Sequence, residues 1–219
     1  MDGMGLWATL VALAEPALHP AAHLWGADFT WLELVAVVLS LAMVALNLRV
    51  NPWAWPFAIA ASVLYAVLFA HYRLYGEASL QGLFIVVSFW GWWQWLRGTD
   101  AQRRPLAVRA LPRCGVAATV CAWGLMWLGI GLLLDHITDS DVPYWDALPT
   151  AGSVAGQYLL ARKWVENWPV WLAVNLISVA LFAYKGMWLT VGLYALFAVL
   201  SVVGWRAWRG LARTAATGA

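Results

Sequence analysis

Seven apolar stretches, each about as long as a membrane-spanning helix, dominate this 219-residue chain. They fall near residues 30–48, 54–70, 79–96, 115–134, 144–161, 165–184 and 187–206. A hydrocarbon core roughly 30 Å thick is crossed by about 20 helical residues. A membrane barrel would show short stretches that alternate apolar and polar residues, whereas these are continuously apolar. The sequence therefore predicts an all-α integral membrane protein with seven transmembrane helices.

Composition supports the same class of protein. Apolar residues make up 63% of the chain and charged residues only 11%, too few to keep the surface of a soluble domain wet. Residues 1–29 precede the first predicted span and contain a short apolar segment, Leu6 to Leu18. We interpret residues 1–29 as an interfacial or ragged N-terminal segment.

Basic residues are distributed unevenly about the predicted membrane. All but Arg73 and Lys185 fall on one side, namely Arg49, Arg97, Arg103, Arg104, Arg109, Arg113, Arg162, Lys163, Arg206, Arg209 and Arg213. Basic residues close to the ends of spans are retained in the cytoplasm. We therefore expect the N-terminus outside and the C-terminus in the cytoplasm. The net charge of +2 gives no reason to expect a nucleic-acid partner.

A tryptophan-rich motif occurs twice in the chain, which has 18 tryptophans in all. The two copies read Ser88-x-x-Gly91-Trp92-x-x-Trp95 and Ser201-x-x-Gly204-Trp205-x-x-Trp208. Upstream of them, aligning Trp55 with Trp171 and Ser62 with Ser178 requires a three-residue gap in the loop that follows. Such self-similarity indicates an internal duplication.

The duplication predicts how the chain is organised. A first three-helix repeat covers residues 30–96 and a second covers 144–209. Residues 97–143 supply a basic loop, a linking helix and an acidic outer loop, and residues 210–219 form a tail. Because one helix lies between the repeats, both should enter the membrane in the same sense. The expected plan is 3+1+3, with parallel repeats of the kind that transporters build around a midplane site.

Four predicted helices place polar and aromatic side chains on one face. The stripes are Gln81, Ser88, Trp92 and Trp95; Thr150, Ser153 and Gln157; Trp168, Trp171, Asn175 and Ser178; and Tyr194, Ser201, Trp205 and Trp208. An unpaired amide in hydrocarbon costs several kcal/mol, so the three amides must face the interior of the bundle. They could simply join helices by hydrogen bonds. Three amides on different helices, each near indoles or hydroxyls, favour a solute pathway instead.

The sequence lacks the residue patterns that are typical of catalysis and of transport coupled to protons or sodium. The central thirds of the spans contain no carboxylate or histidine, which proton or sodium coupling usually requires. No nucleotide-binding loop, catalytic carboxylate pair or activated nucleophile can be recognised. We therefore expect a protein that is not an enzyme and that uses neither a metal nor a cofactor.

A set of short motifs is distributed along the predicted spans: Tyr75-Gly76, Leu80-Gln81, Gly91-Trp92-x-x-Trp95, Gln157, Glu166-Asn167-Trp168-x-x-Trp171-x-x-x-Asn175-x-x-Ser178, Lys185-Gly186 and Leu193-Tyr194. Together these motifs resemble the PnuC family of bacterial vitamin transporters. The resemblance covers about residues 30–210 and is most specific from Thr150 to Trp208.

This resemblance implies a seven-helix carrier for nicotinamide riboside in the bacterial inner membrane, similar in fold to SWEET sugar transporters. In the family, substrate enters by facilitated diffusion and is trapped when a cytoplasmic kinase phosphorylates it. Members of the family form homo-oligomers, and we expect a trimer. Related members carry thiamine or riboflavin, so a carrier for another vitamin or a SWEET-like sugar carrier stays open. An enzyme, or a subunit that docks through loop 97–113, is less favoured.

Eight residues are the predicted substrate-binding set: Gln81, Ser88, Trp92, Gln157, Trp168, Trp171, Asn175 and Tyr194. The pyridinium of nicotinamide riboside is flat and cationic, so indoles can hold it without a buried carboxylate. We expect Trp168 and Trp171 to stack on this ring. The amides and Tyr194 are expected to bind the carboxamide and the ribose hydroxyls.

Overall fold

The computed structural model of the chain describes residues 19–24, 27–71, 75–100, 103–137, 142–184, 186 and 188–217. Within them, a short antiparallel hairpin of β1 (Pro20–Leu24) and β2 (Ala27–Thr30) precedes seven helices. The helices are α1 (Trp31–Leu48), α2 (Ala54–His71), α3 (Tyr75–Arg97), α4 (Arg113–Ile137), α5 (Pro143–Ala161), α6 (Asn167–Tyr184) and α7 (Trp188–Thr217). Each covers one predicted span, which confirms the all-α membrane architecture. The hairpin was not predicted, and the segment Leu6 to Leu18 lies outside the described residues.

Among the described residues, five helices are long and apolar enough to cross a membrane. The qualifying segments are Trp31–Leu48, Ala54–His71, Arg113–His136, Asn167–Tyr184 and Thr190–Ala215. The other two helices, α3 and α5, carry predicted polar stripes that contain Gln81 and Gln157. These polar side chains lower the hydropathy of α3 and α5, which were also predicted to be spans.

The chain divides into two compact units, residues 1–93 and 94–219, so that the last turn of α3 belongs to the second unit. In the first unit α1 packs along α2, and Leu32 joins Val67 and Leu68 in a buried cluster. Trp55 is 1% exposed, and its ring lies so close to Gly91 that a β-carbon on Gly91 would overlap it. The first unit therefore has an indole-on-glycine contact between α2 and α3.

The second unit is built from neighbouring antiparallel helices. Helix α4 packs along α5, α5 along α6, and α6 along α7. Its apolar cluster consists of Ala155 and Leu159 from α5 with Val170 and Val174 from α6. Trp168 lies against Gly204, so the second unit repeats the indole-on-glycine contact between α6 and α7.

The same local features recur 113 positions apart in the two units. Val50 and Lys163 have positive φ angles of 53° and 56°, in turns that precede α2 and α6. The backbone bonds of the two turns also correspond, because Asn51 N–H donates to Leu46 O as Trp164 N–H donates to Leu159 O.

A constant shift of 113 places Trp55 opposite Trp168 and Gly91 opposite Gly204. The alignment of Trp55 with Trp171, and the three-residue gap that it required, are therefore wrong. Both Trp55 and Trp168 precede a proline in the first turn of a helix. Trp171, the next tryptophan along α6, can be aligned with Trp55 in the sequence, but it contacts Gly156 of α5 and not a glycine of α7.

Val50 provides a test of backbone strain in the turn between α1 and α2. Its φ of 53° is a conformation that costs an L-residue roughly 1–2 kcal/mol. We expect Val50→Gly to raise the free energy of unfolding by about 1 kcal/mol, measured by thermal unfolding in detergent. Val44→Gly, in the interior of α1, should lower it by a similar amount. Loss of stability in Val50→Gly would contradict the account of strain.

Candidate functional site

Helices α6 and α7 meet along a line of contacts that we call the α6–α7 seam. In its middle, Asn175 Nδ2 donates to Ser201 Oγ at 3.2 Å, and Ser201 Oγ donates to Phe197 O at 2.8 Å. Asn175 and Ser201 are both buried. Because the serine hydroxyl donates to its own helix, it accepts from the amide, and the pair fixes the Asn175 side chain between the two helices.

Two helical turns before Asn175, Trp168 is enclosed on several sides. It is 4% exposed, its ring lies against Gly204, and it meets the Trp208 ring edge-on at 5.7 Å between centroids. Its Nε1 is buried and has no hydrogen-bond partner among the residues that the structure describes. A buried donor left unpaired costs about 1–3 kcal/mol. Trp168 therefore buries an N–H group that no described residue satisfies.

At the other end of the seam, Tyr194 is held by aromatic neighbours. Its ring stacks on Phe182 at 5.2 Å with 28° between the planes, and it meets Phe197 edge-on at 6.3 Å. The seam thus brings together three predicted site residues, Trp168, Asn175 and Tyr194.

The other predicted residues of the second unit lie on a different face. A β-carbon on Gly156 would lie 3.1 Å from the indole of Trp171, which packs against the apolar cluster of α5 and α6. Gln157, the next residue of α5, is buried. Thr150 and Ser153 donate their hydroxyls to carbonyls of their own helix. The stripe predicted on α6 is therefore divided, with Trp168 and Asn175 toward α7 and Trp171 toward α5.

The remaining predicted residues belong to α3 in the first unit. Ser88 is buried, whereas Gln81 and Trp92 are half-buried. Ser88 lies one turn before Gly91, the residue that Trp55 covers.

Sequence reasoning left Trp95 and Trp208 out of the predicted binding set, yet both are buried in the second unit. Trp95 Nε1 donates to Leu160 O at 3.0 Å, and its ring lies 6.0 Å from that of Trp208. Lys163 Nζ lies 5.2 Å above the Trp95 ring and donates to Leu106 O at 3.0 Å. Burial lowers the pKa of the Lys163 ammonium. The repeated Gly-Trp-x-x-Trp motif is the feature of the sequence that could have revealed this cluster.

The part of the loop after α3 that the structure describes is joined to the rest of the second unit by hydrogen bonds. Arg109 N–H donates to Lys163 O and Arg109 O accepts from Val165 N–H, at 3.2 and 3.0 Å. Leu111 N–H donates to Glu166 Oε2 at 2.8 Å, and the Arg109 guanidinium lies 4.2 Å above the Trp164 ring. This end of the second unit comprises the last turn of α3, this loop and the turn between α5 and α6. We call it the basic end.

The fold and the seam define a multi-pass helical membrane protein with a repeated helical arrangement and a buried polar site. Residues 30–210 match the family described as nicotinamide mononucleotide transporter. The chain belongs to this family of membrane transporters, and the resemblance to PnuC proteins is confirmed.

Three relatives named as vitamin transporters support membership of this family. The nicotinamide riboside transporter PnuC of Escherichia coli is 26% identical over 212 residues, covering 86% of this chain and 89% of its own. The riboflavin/roseoflavin transporter RibM of Streptomyces davaonensis is 30% identical over 188 residues, covering 84% and 87%. PnuC of Neisseria mucosa is 25% identical over 203 residues, covering 84% and 74%.

A solved structure shows the same fold. The crystal structure of the vitamin B3 transporter PnuC matches this structure with a TM-score of 0.70 and 22% sequence identity. The match covers 96% of this chain and 88% of that chain.

Proposed function

We propose that the protein moves nicotinamide riboside into the bacterial cytoplasm by facilitated diffusion. Relatives from three genera bear the name nicotinamide riboside transporter. The observation that carries the proposal is the α6–α7 seam, where a fixed amide and an indole N–H that no described residue pairs with lie on one face of α6. Seven residues separate Asn175 from Trp168, a rise of about 10 Å along the helix. This spacing suits a ligand of nucleoside size with polar groups at both ends.

The structure supports a revised role for Trp168. Gly204 and Trp208 cover its ring, and its one polar group, the buried N–H, has no partner among the described residues. We assign Trp168 as a hydrogen-bond donor to a carboxamide or ribose oxygen. Trp171 is half-buried on the side of α6 that faces α5, and it stays the candidate for stacking on the pyridinium from that side.

The other parts of the proposal concern the transport cycle. The two repeats alternate access to the site, and a cytoplasmic kinase traps the riboside. The N-terminus lies outside, the C-terminus lies in the cytoplasm, and the protein forms a homo-oligomer, taken as a trimer. The uneven distribution of basic residues supports this orientation. Gln81, Ser88, Trp92 and Gln157 complete the proposed substrate-binding set.

A riboflavin carrier is the second candidate, because RibM is 30% identical to this chain. One binding experiment separates the two. Calorimetry or quenching of tryptophan fluorescence on detergent-purified protein should show saturable binding of nicotinamide riboside. Nicotinamide, the mononucleotide, thiamine, riboflavin and glucose serve as comparators. Binding of riboflavin, thiamine or sugar without riboside would keep the fold and overturn the proposed substrate.

Asn175 tests the assignment of polar contacts. We expect Asn175→Ala to weaken binding of nicotinamide riboside about tenfold, because a hydrogen bond made in a buried site is lost. Calorimetry on protein with unchanged helix content measures the effect. Asn51→Ala is the control, because this half-buried residue lies in the first unit, outside the seam. Unchanged affinity in Asn175→Ala would remove Asn175 from the site.

A further inference from the structure

Helices α3, α4 and α7 each expose apolar side chains along one face, as expected where a helix borders lipid. On α3 this face holds Val86, Phe89 and Trp93; on α4 it holds Val116 and Val120; on α7 it holds Leu196, Val199 and Val203. The spacings of three and four residues place each set on one side of its helix.

An exposed arginine continues each of these faces at the basic end. Arg97 follows Trp93 by four residues, Arg113 precedes Val116 by three, and Arg206 follows Val203 by three. All three arginines therefore lie on lipid-facing surfaces rather than on the faces that pack inside the protein.

The three arginines lie at about one level along the helices. Trp95, two residues before Arg97, has its ring 6.0 Å from that of Trp208, two residues after Arg206. The backbone N–H of Leu111, two residues before Arg113, donates a hydrogen bond to the carboxylate of Glu166. Glu166 lies two residues before Trp168, which contacts Trp208. Contacts within the second unit thus bring the end of α3, the start of α4 and the turn of α7 that carries Arg206 close together.

These guanidinium groups have no ion pair and no side-chain hydrogen bond with any residue that the structure describes. In a membrane, an arginine at the end of a lipid-facing stripe extends its side chain into the headgroup layer. Its planar guanidinium matches the oxygens of a phosphate in a bidentate fashion.

We propose that Arg97, Arg113 and Arg206 form a binding surface for the phosphate headgroups of anionic phospholipids in the leaflet at the basic end. The surface is separate from the α6–α7 seam and does not depend on the identity of the transported substrate. Each arginine contributes about fivefold to the affinity for an anionic headgroup.

The test uses the full-length protein purified in a neutral detergent. Short-chain phosphatidylglycerol is titrated, and thermal unfolding is followed with phosphatidylcholine and inorganic phosphate as parallel additions. Phosphatidylglycerol should raise the Tm of the wild type, and the other two should not. The variant R97Q/R113Q/R206Q should lose the increase, and each single variant should weaken the apparent affinity about fivefold.

The control variant is R103Q/R104Q. These two arginines are exposed and belong to the loop, outside the lipid-facing stripes, so the variant should respond to phosphatidylglycerol as the wild type does. A Tm increase that persists in the triple variant, or one that phosphatidylcholine or inorganic phosphate reproduces, would overturn the proposal. If the triple variant does not fold, the three single variants decide the question. Retained riboside binding in the variants separates this result from any failure of the proposed substrate.

Discussion

Replacing Gly204 with alanine is expected to lower the free energy of unfolding by about 3 kcal/mol, the upper end of the range for overpacked cores. The new β-carbon would lie 2.5 Å from three ring atoms of Trp168, far inside van der Waals contact. Trp168 has little room to move, because Trp208 beside it is fully buried. Thermal unfolding of the detergent-purified protein measures the loss.

Two other glycines of α7 provide the control. A β-carbon on Gly192 or Gly210 would meet nothing within 4 Å, so alanine at either position should be neutral or stabilising by about 1 kcal/mol. If Gly204→Ala behaved like Gly210→Ala, the close packing of Trp168 on α7 would be wrong. The same packing of Trp55 on Gly91 in the first unit makes Gly91 the corresponding position there.

The second large effect is expected from Trp168→Phe, which should weaken binding of nicotinamide riboside by about 30-fold. Phenylalanine keeps an aromatic ring beside Gly204 but removes the Nε1–H group. In a buried site the oxygen that received this hydrogen bond is left unpaired, and such losses are larger than in water. Calorimetry measures the affinity, with uptake into proteoliposomes as the second readout.

Affinity distinguishes this role from a purely structural one. In the free protein Nε1 of Trp168 has no partner among the described residues, so its removal breaks no hydrogen bond there. The smaller ring leaves a cavity beside Gly204 and Trp208 that lowers the free energy of unfolding, so affinity is measured well below the Tm of each variant. Trp205→Phe, at a half-buried position where Arg209 lies over the ring, is the matched control and should keep its affinity. Equal affinities in the two variants would exclude Trp168 as a donor to substrate.

Where the helices lie was predictable, because a bilayer demands long apolar segments and leaves few alternatives. The helix boundaries of α2 and α5 fall within one residue of the predicted spans. The N-terminal hairpin was missed, because its strands are only five and four residues long and give little periodic signal.

The candidate site was predictable only in part. Spacing correctly placed Trp168 and Asn175 on one side of α6, but it also placed Trp171 with them. A helical stripe spans a wide angle, and two neighbouring helices can meet its two edges. The structure turns Trp171 toward Gly156 and Trp168 toward Gly204. Which neighbour each side chain meets depends on helix packing, which a single sequence does not contain.

The sequence alone determined the class of protein, the seven helices, the duplication and the family, because each of these depends on composition, periodicity or a repeated motif. Only the tertiary structure decided the register of the duplication. Turns at Val50 and Lys163 with positive φ, and glycines that admit an indole, fixed a shift of 113 without a gap. It also decided that the Trp168 ring is covered while its N–H stays without a partner in the described residues. Burial and hydrogen bonding of one atom depend on residues distant in sequence, and folding alone brings them together.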